Sequence, residues 1–541
     1  MPTSKSSSID LNPHDLKEVL QVLNLYLPAV EVRAFGSRVK WTAKPYSDID
    51  LALMTDRPLS LEQAALLREA FDETTIPFKV DFVDWASTSD SFRRIIQASS
   101  VVIRPAETSI ADHSKVLSLD EALEALLDYR GKTPTKTTSG VPLITAKIVK
   151  NGRIETPAEF IAPEDYSAWM TRGLPKEGDV VLTTEAPLGE VAQLNSAHVA
   201  LAQRIVVLRG KADVLDNTYL RYLLQTAGMQ EQLAARATGT TVVGIKQSEL
   251  RKIAMRLPPV RRQRAIATVL SSLDDKIELN RRMNETLEAM ARAIFQSWFV
   301  DFDPVRAKAS GESADSICQR LGLTPELLAL FPDSFEDSEL GEIPVGWVTK
   351  LFSEAITINP TGVLKKGVVA PYLDMANMPT ASARAHEVVA REFGSGMKFQ
   401  NGDTLVARIT PCLENGKTCF VDFLEDDQVG WGSTEYIVLR PNPPLPPEYG
   451  YFLARTEKFR DHAIANMTGT SGRQRVPASA FDDVRLVIPG VEVAKAFGMY
   501  ARATVESMRT RDTESRTLTV LRDSLLPKLL SGELTPSQLP S

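Results

Sequence analysis

The chain repeats itself at long range. Gly178-Asp179-Val180-Val181-Leu182 is answered by Gly402-Asp403-Thr404-Leu405-Val406, and Ile205-Val206-Val207-Leu208-Arg209 by Tyr436-Ile437-Val438-Leu439-Arg440. Tyr222-Leu223-Leu224 pairs with Tyr451-Phe452-Leu453, Ala237-Thr238-Gly239-Thr240 with Met467-Thr468-Gly469-Thr470, and Leu257-Pro258 with Ile488-Pro489, at offsets of 224 to 231 residues. A period of this length constrains the fold more than any local motif, because both copies must bury the same pattern. The runs Asp179–Thr183 and Arg204–Arg209 are short, β-like and punctuated by glycine and proline, so each copy reads as a mixed α/β, strand-rich module. In a chain of 541 residues, two such modules leave room for at least one further domain.

Each copy is followed by a long helical stretch: Arg262–Val300, without glycine or proline, and Val493–Leu526, where Gly498 is the only glycine. In the first, Ile266, Leu270, Leu273, Ile277, Asn280, Asn284, Leu287, Ala291, Ile294 and Trp298 step alternately by four and three, the 3.5-residue seam of a coiled coil. Asn280 and Asn284 are polar insertions that fix register. In the second helix Thr504, Arg511, Ser515 and Arg522 stand where the first has seam positions. Its seam is therefore expected to lean on Phe497, Val505, Met508, Leu518, Leu521 and Leu525. At 1.5 Å per residue, the stretch from 266 to 298 spans roughly 50 Å.

Composition excludes several classes. The apolar and charged fractions, 43% and 24%, are those of ordinary globular protein. No apolar run is long enough to span a bilayer and the N-terminus has no signal-like core, so a cytoplasmic protein is expected, with no membrane partner. Cys318, Cys412 and Cys419 read as free thiols, and five scattered histidines give no zinc pattern, so any metal should be held by carboxylates. A net charge of −7 argues against coating nucleic acid by bulk positive charge. The distribution is uneven: residues 311–342 hold eight acids and one base, whereas 236–264 hold eight bases and one acid. The second stretch is suited to a phosphate backbone.

Three strings then carry a resemblance: Leu257-Pro258-Pro259 with Gln263-Arg264; Leu273-Asp274-Asp275-Lys276-Ile277-Glu278-Leu279-Asn280; and Trp298-Phe299-Val300-Asp301-Phe302-Asp303-Pro304. Together with Leu521-Arg522-Asp523-Ser524-Leu525-Leu526-Pro527-Lys528-Leu529-Leu530-Ser531-Gly532-Glu533-Leu534 and the entry Leu340-Gly341-Glu342-Ile343-Pro344-Val345-Gly346-Trp347, they resemble the specificity (S) subunits of type I restriction–modification systems over about 115–534. The resemblance implies two target-recognition domains separated by two long helices in an antiparallel coiled coil, a bipartite asymmetric target on double-stranded DNA, and no catalytic site in this region. It also implies two modification (methyltransferase) subunits and restriction (ATP-dependent translocase and nuclease) subunits as partners, which use S-adenosylmethionine and ATP. Fifty ångströms is nearer one and a half DNA turns than one, given about 34–36 Å per turn.

Direct reading needs side chains that offer donors and acceptors to base edges, with Lys and Arg on phosphates. The Thr-Gly-Thr loops fit, and Thr238, Thr240, Lys246 and Gln247 in the first copy and Thr468, Thr470, Arg473, Gln474 and Arg475 in the second are the candidate DNA contacts. Asn442-Pro443-Pro444-Leu445 is similar to the motif of amino-methyltransferases at a flipped base, but it lacks the aromatic platform and reads as a proline-rich turn.

Residues 9–106 alternate helix and strand: helix 14–27, strand Val32–Phe35, strand Asp48–Leu53, helix 60–73 and strand Lys79–Val83. Phe35-Gly36-Ser37, then Asp48-Ile49-Asp50-Leu51, then Asp81 resemble a minimal nucleotidyltransferase domain of the DNA polymerase β superfamily. Asp48 and Asp50 alternate on a strand and so share a face. With Asp81 they are the candidate catalytic carboxylates and ligands for Mg²⁺. Gly36 and Ser37 are the candidate nucleotide-binding pair. Trp41 stands where that family's loop has a further glycine. The expected organisation is thus 9–106 nucleotidyltransferase-like, 115–259 first recognition domain, 260–306 spacer helix, 307–340 acidic linker, 341–490 second recognition domain and 491–534 second spacer helix. The opposing reading makes the N-terminal domain primary, a protein-modifying nucleotidyltransferase with the remainder as its targeting device.

Overall fold

The computed structural model describes residues 9–27, 30–44, 46–55, 57–104, 114–131, 133–239, 242–470 and 472–539. Two compact units divide the chain: one runs to Ser272 and takes in the chain from Leu521 onward, and the other is Leu273–Val520.

In the first unit, an N-terminal sheet orders its strands Val80–Asp84, Ile49–Leu53, Val32–Phe35 and Val101–Arg104. Only the pairing of Ile49–Leu53 with Val80–Asp84 is parallel, which sets Asp50 in register with Asp81. Helix Pro13–Tyr26 starts on an Asn12 cap, and helix Leu61–Asp72 on a Ser60/Gln63 capping box. Val19, Leu23, Val32, Leu51 and Leu67 close this core. The helix Asp90–Ala98 and the edge strand Val101–Arg104 complete it.

The first reader follows with a four-stranded antiparallel sheet of Leu188–Gln193, Val180–Thr184, Ile205–Gly210 and Leu123–Asp128. The second reader, in the other unit, repeats it with Thr418–Phe420, Thr404–Ala407, Tyr436–Pro441 and Ile356–Ile358. Each reader also has one parallel contact, Val141–Ile144 with Ala200–Leu201 and Val369–Leu373 with Gly430–Gly432, and two helices after the sheet, Asn217–Gln225 and Ala227–Arg236 against Pro447–Ala454 and Glu457–Ala465. The same buried ion pair ties each sheet to its entry turn. Asp179 accepts from Arg209 at 2.6 Å and from the Lys176 amide at 2.8 Å, and Asp403 accepts from Arg440 at 2.7 Å and from the Gln400 amide at 2.8 Å.

The long helices are Val260–Phe299 and Val491–Ser531. Within the second unit they run antiparallel: Asn280 donates to Glu514 (2.8 Å) and Ser515 (3.3 Å), and Asn284 to Asp512 (2.8 Å). Within the first unit, Ile266 and Leu270 share a core with Leu525 and Leu529. The expected second seam needs correction. Phe497, Val505 and Met508 are buried as expected and Leu525 packs on the first unit's core, but Leu521 is 43% exposed, and polar positions join the seam, with Thr504 buried and Ser515 accepting from Asn280. The helix also continues through Pro527 to Ser531, because the turn beyond it carries the fully buried Leu529.

Residues 307–340, expected as an acidic linker, are folded. Helices Asp303–Ala309, Ala314–Leu321 and Pro325–Ala329 and a hairpin of Phe335–Ser338 with Gly341–Pro344 place Ile317, Leu323, Leu328 and Phe331 in the core of the second unit, leaving the acids outside. The acid count hid an apolar set at helical spacing.

Candidate DNA-facing hairpins and carboxylate site

Both Thr-Gly-Thr loops are hairpins seated on their own reader's sheet. In the first, Thr238 and Gly244 exchange backbone hydrogen bonds at 2.8 and 3.0 Å, and Ile245 donates to the carbonyl of Thr184, the last residue of strand Val180–Thr184, at 3.0 Å. In the second, Thr468 and Arg475 exchange bonds at 2.9 and 2.8 Å, and Thr410 donates to the Gln474 carbonyl at 3.0 Å. Gly239 and Gly469 hold φ of 117° and 125°, backbone that favours glycine, and a β-carbon on Gly239 would overlap the Val242 carbonyl. Each hairpin abuts a turn with a cis X-Pro bond, Ala186-Pro187 or Thr410-Pro411. These turns were not singled out from sequence, though Pro187 and Pro411 share the 224-residue offset of the strands before them.

The candidate contacts are placed as follows. Thr238 and Lys246 are exposed, as are Thr468, Thr470 and Arg473; Gln247 and Gln474 are half-buried, and Thr240 lies outside the described residues. Arg475 is already engaged: its guanidinium forks onto Glu435, Nε at 2.9 Å from both carboxylate oxygens and Nη2 at 2.7 Å from one. That hydrogen-bonded pairing lowers the Glu435 pKa. Arg475 therefore anchors the hairpin base, while Arg473 projects from it. The first reader wires the same junction differently, with Glu185 paired to Arg204 at 3.1 Å. No local motif marks Glu435 or Glu185, because each is read only against its partner in space. Asn442, within the Asn-Pro-Pro-Leu string, accepts from the Thr357 hydroxyl at 3.0 Å and donates to the Glu354 carbonyl at 3.1 Å, so its amide braces a strand.

In the N-terminal domain, parallel pairing brings Asp50 and Asp81 side by side at one end of the sheet, with Asp48 exposed just before the strand. Burial, followed by repulsion from Asp81 and Asp48, raises the Asp50 pKa. Gly36 has φ of 80°, and a β-carbon there would overlap the Asp50 carboxylate. The Lys79 ammonium lies 2.6 Å from Asp81, and among the described residues no three carboxylate, histidine or cysteine side chains converge as a metal-holding group. The donor set nonetheless fits a divalent cation, which would relieve the repulsion that Asp81 and Asp48 exert on Asp50. The loop after Ser37 closes through Lys40 and Thr42 amides onto the Gly36 and Ser37 carbonyls, and Trp41 within it has φ of 57°, the conformation a glycine adopts at least cost.

The architecture defines a class: a duplicated recognition protein with a nucleotidyltransferase-type domain in front. Residues 112–289 match the type I restriction modification DNA specificity domain, and residues 17–108 the polymerase beta nucleotidyltransferase family. The chain carries a type I restriction–modification DNA specificity domain and, in front of it, a nucleotidyltransferase domain, and its relatives over the longer part include specificity subunits of type I systems. The specificity subunit of the type I restriction enzyme HindI from Haemophilus influenzae is 25% identical over 390 residues, 62% of this chain and 82% of that protein. A probable protein adenylyltransferase, MntA, from the same species is 42% identical over 104 residues, 19% of this chain and 91% of that protein. The type I S subunit from M. genitalium has a TM-score of 0.45 at 15% identity, covering 78% of this chain and 97% of that one. No helix among the described residues is long and apolar enough to cross a membrane.

Proposed function

We propose that the chain directs a type I restriction–modification complex to a bipartite, asymmetric DNA target, each reader contacting one half-site. The observation that carries this is the repetition of one device, a Thr-Gly-Thr hairpin seated beside a proline turn on the same strand, with different exposed side chains in each copy. Equal scaffolds hold unequal reading groups, so the half-sites differ. Lys246, Gln247 and Arg473 are assigned to phosphates or base edges, Thr238, Thr468, Thr470 and Gln474 to the hairpin faces, and Arg475 to holding the second hairpin in place; Thr240, outside the described residues, is assigned as a contact on the sequence alone. Two modification subunits and the restriction subunits supply methylation and cleavage with S-adenosylmethionine and ATP. On the first long helix, Leu279, Met283 and Met290 are exposed along one side, an apolar stripe suited to a modification subunit. Mapping methylated bases in cells, before and after residues 236–260 are replaced, tests the reading: the methylated sequence must change in one half-site alone.

The N-terminal carboxylates support a second activity, transfer of a nucleoside monophosphate to a protein hydroxyl. Asp48, Asp50 and Asp81 are the residues to hold Mg²⁺, which supplies charge neutralisation at the triphosphate. Gly36 and Ser37 bring backbone and hydroxyl donors to the phosphates. The substrate oxygen bonds to the α-phosphorus as the bond to pyrophosphate breaks, and the hydroxyl proton passes to a carboxylate or to solvent. Incubation with labelled ATP and Mg²⁺ must label a protein, and Asp48→Ala must abolish the label while leaving target methylation intact.

A further inference from the structure

Asn280, Asn284 and Glu288 occupy successive turns of the first long helix, one row on one face. The two asparagines meet the second long helix, through Glu514 and Asp512. Glu288, 4% exposed, meets the second reader instead: it accepts from the Ala383 amide at 2.9 Å and from the Tyr451 hydroxyl. Arg455, also buried, donates to that hydroxyl at 3.0 Å and to the carbonyls of Thr380, Gly416 and Ser382 at 2.6 to 2.9 Å. The next residue of the same loop, Arg384, pairs with Asp422 in the reader and at 2.8 Å with Asp512, the carboxylate that also receives Asn284. One reader loop is thereby tied to the first long helix through the buried Glu288 and to the second through the pair of the buried Arg384 with the one-third-exposed Asp512.

The first copy has different residues at the corresponding places. At the 231-residue offset Glu288 corresponds to Thr519, whose hydroxyl returns to the Ser515 carbonyl at 2.8 Å. Thr226 and Thr456 make the same helix cap in the two copies, on Leu223 and Leu453, so at their 230-residue offset Arg455 corresponds to Gln225, whose amide donates to the Val191 carbonyl at 3.5 Å. The carboxylate and guanidinium belong to the second reader alone.

We propose that Glu288 and Arg384 are positioning residues that lock the second reader to the paired helices, and so fix the spacing at which its half-site is read. The proposal rests on the function given above. Buried charge networks admit one geometry, since losing any partner strands the others in a poorly solvating interior. A reader held in this way cannot pivot to follow a half-site displaced by one base pair.

The test uses the full chain assembled with its modification subunits. The probes are duplexes carrying the methylation-defined target at native spacing, or with one base pair inserted or removed between the half-sites. Glu288→Ala and Arg384→Ala are expected to lower the preference for native spacing by about tenfold, with base preference within each half-site unchanged. Glu288→Gln, which retains an acceptor for the Ala383 amide, should restore most of it, and Thr519→Ala should match wild type. Folded Glu288→Ala or Arg384→Ala protein with wild-type spacing preference overturns the proposal. If neither folds, Asp512→Asn, at a carboxylate one-third exposed, must show the loss or the proposal falls. A wild-type complex indifferent to spacing rejects the bipartite function itself, and the lock with it.

Discussion

Gly36 lies so close against the carboxylate of Asp50 that a β-carbon there would have to push that side chain aside, and its backbone occupies the left-handed region at φ 80°. Gly36→Ala is therefore expected to destabilise the N-terminal domain by about 1–3 kcal/mol and to displace Asp50. Asp50→Asn, which removes the crowding of like charges, should instead raise the melting temperature at neutral pH while eliminating nucleotidyl transfer. Thermal denaturation followed beside a labelling assay separates the two effects.

Glu435 and Arg475 make the second hairpin sensitive to acid. The folded-state pKa of Glu435 is depressed by its hydrogen-bonded guanidinium partner. Its contribution is complete above the ordinary glutamate value and is lost as pH falls through the depressed one. The protection of amides 472–476, taken relative to the intrinsic exchange rate at each pH, should fall on acidification, and Glu435→Gln should show the reduced protection at neutral pH already.

Arg473 and Lys246 project from the hairpins without the anchoring role of Arg475. Replacing either by alanine should weaken DNA binding and, where the side chain meets a phosphate, reduce the slope of log affinity against log salt by about one. Titrations at several salt concentrations measure this, and an unchanged slope with altered sequence preference would assign the side chain to a base edge.

The buried pairs Asp179–Arg209 and Asp403–Arg440 should respond alike. Asp179→Ala or Asp403→Ala removes the buried carboxylate that holds the entry-turn amide and the guanidinium together, and is expected to cost about 1–3 kcal/mol, each in its own reader. Hydrogen exchange mapped along the chain would show the loss confined to the copy that was changed.

On the first long helix, Met283→Glu with Met290→Glu should abolish co-purification of modification subunits and leave binding of the free chain to DNA unaltered. The reverse result would place the modification subunits elsewhere.

Periodic features were legible in the sequence. The 224–231 offsets, the three-four spacing and the alternation of Asp48 with Asp50 each follow from one regular geometry repeated along the chain. What escaped depends on meetings between distant residues: Glu435 with Arg475, and Glu288 with Tyr451 across 163 positions. The acidic stretch 307–340 misled for a related reason. Its charge count is a surface property, whereas its structure follows from four apolar residues in a core. Leu521 was assigned to the seam on hydrophobicity alone, yet it is 43% exposed, while the polar Thr504 is buried.

The core of the first unit is completed by Leu525, Leu526, Leu529, Leu530 and Leu534 packing beside residues from 119 to 270. The ribosome makes those leucines only after the whole of Leu273–Val520, an uninterrupted segment free to mature as it emerges. At about 5–20 residues per second, the earlier half waits on the order of ten seconds to a minute with an apolar face uncovered. In nascent chains of this protein the earlier reader's core thus stays incomplete until the last turns of the second helix are made, and premature termination there is expected to spare the later-made reader while leaving the earlier one unfinished.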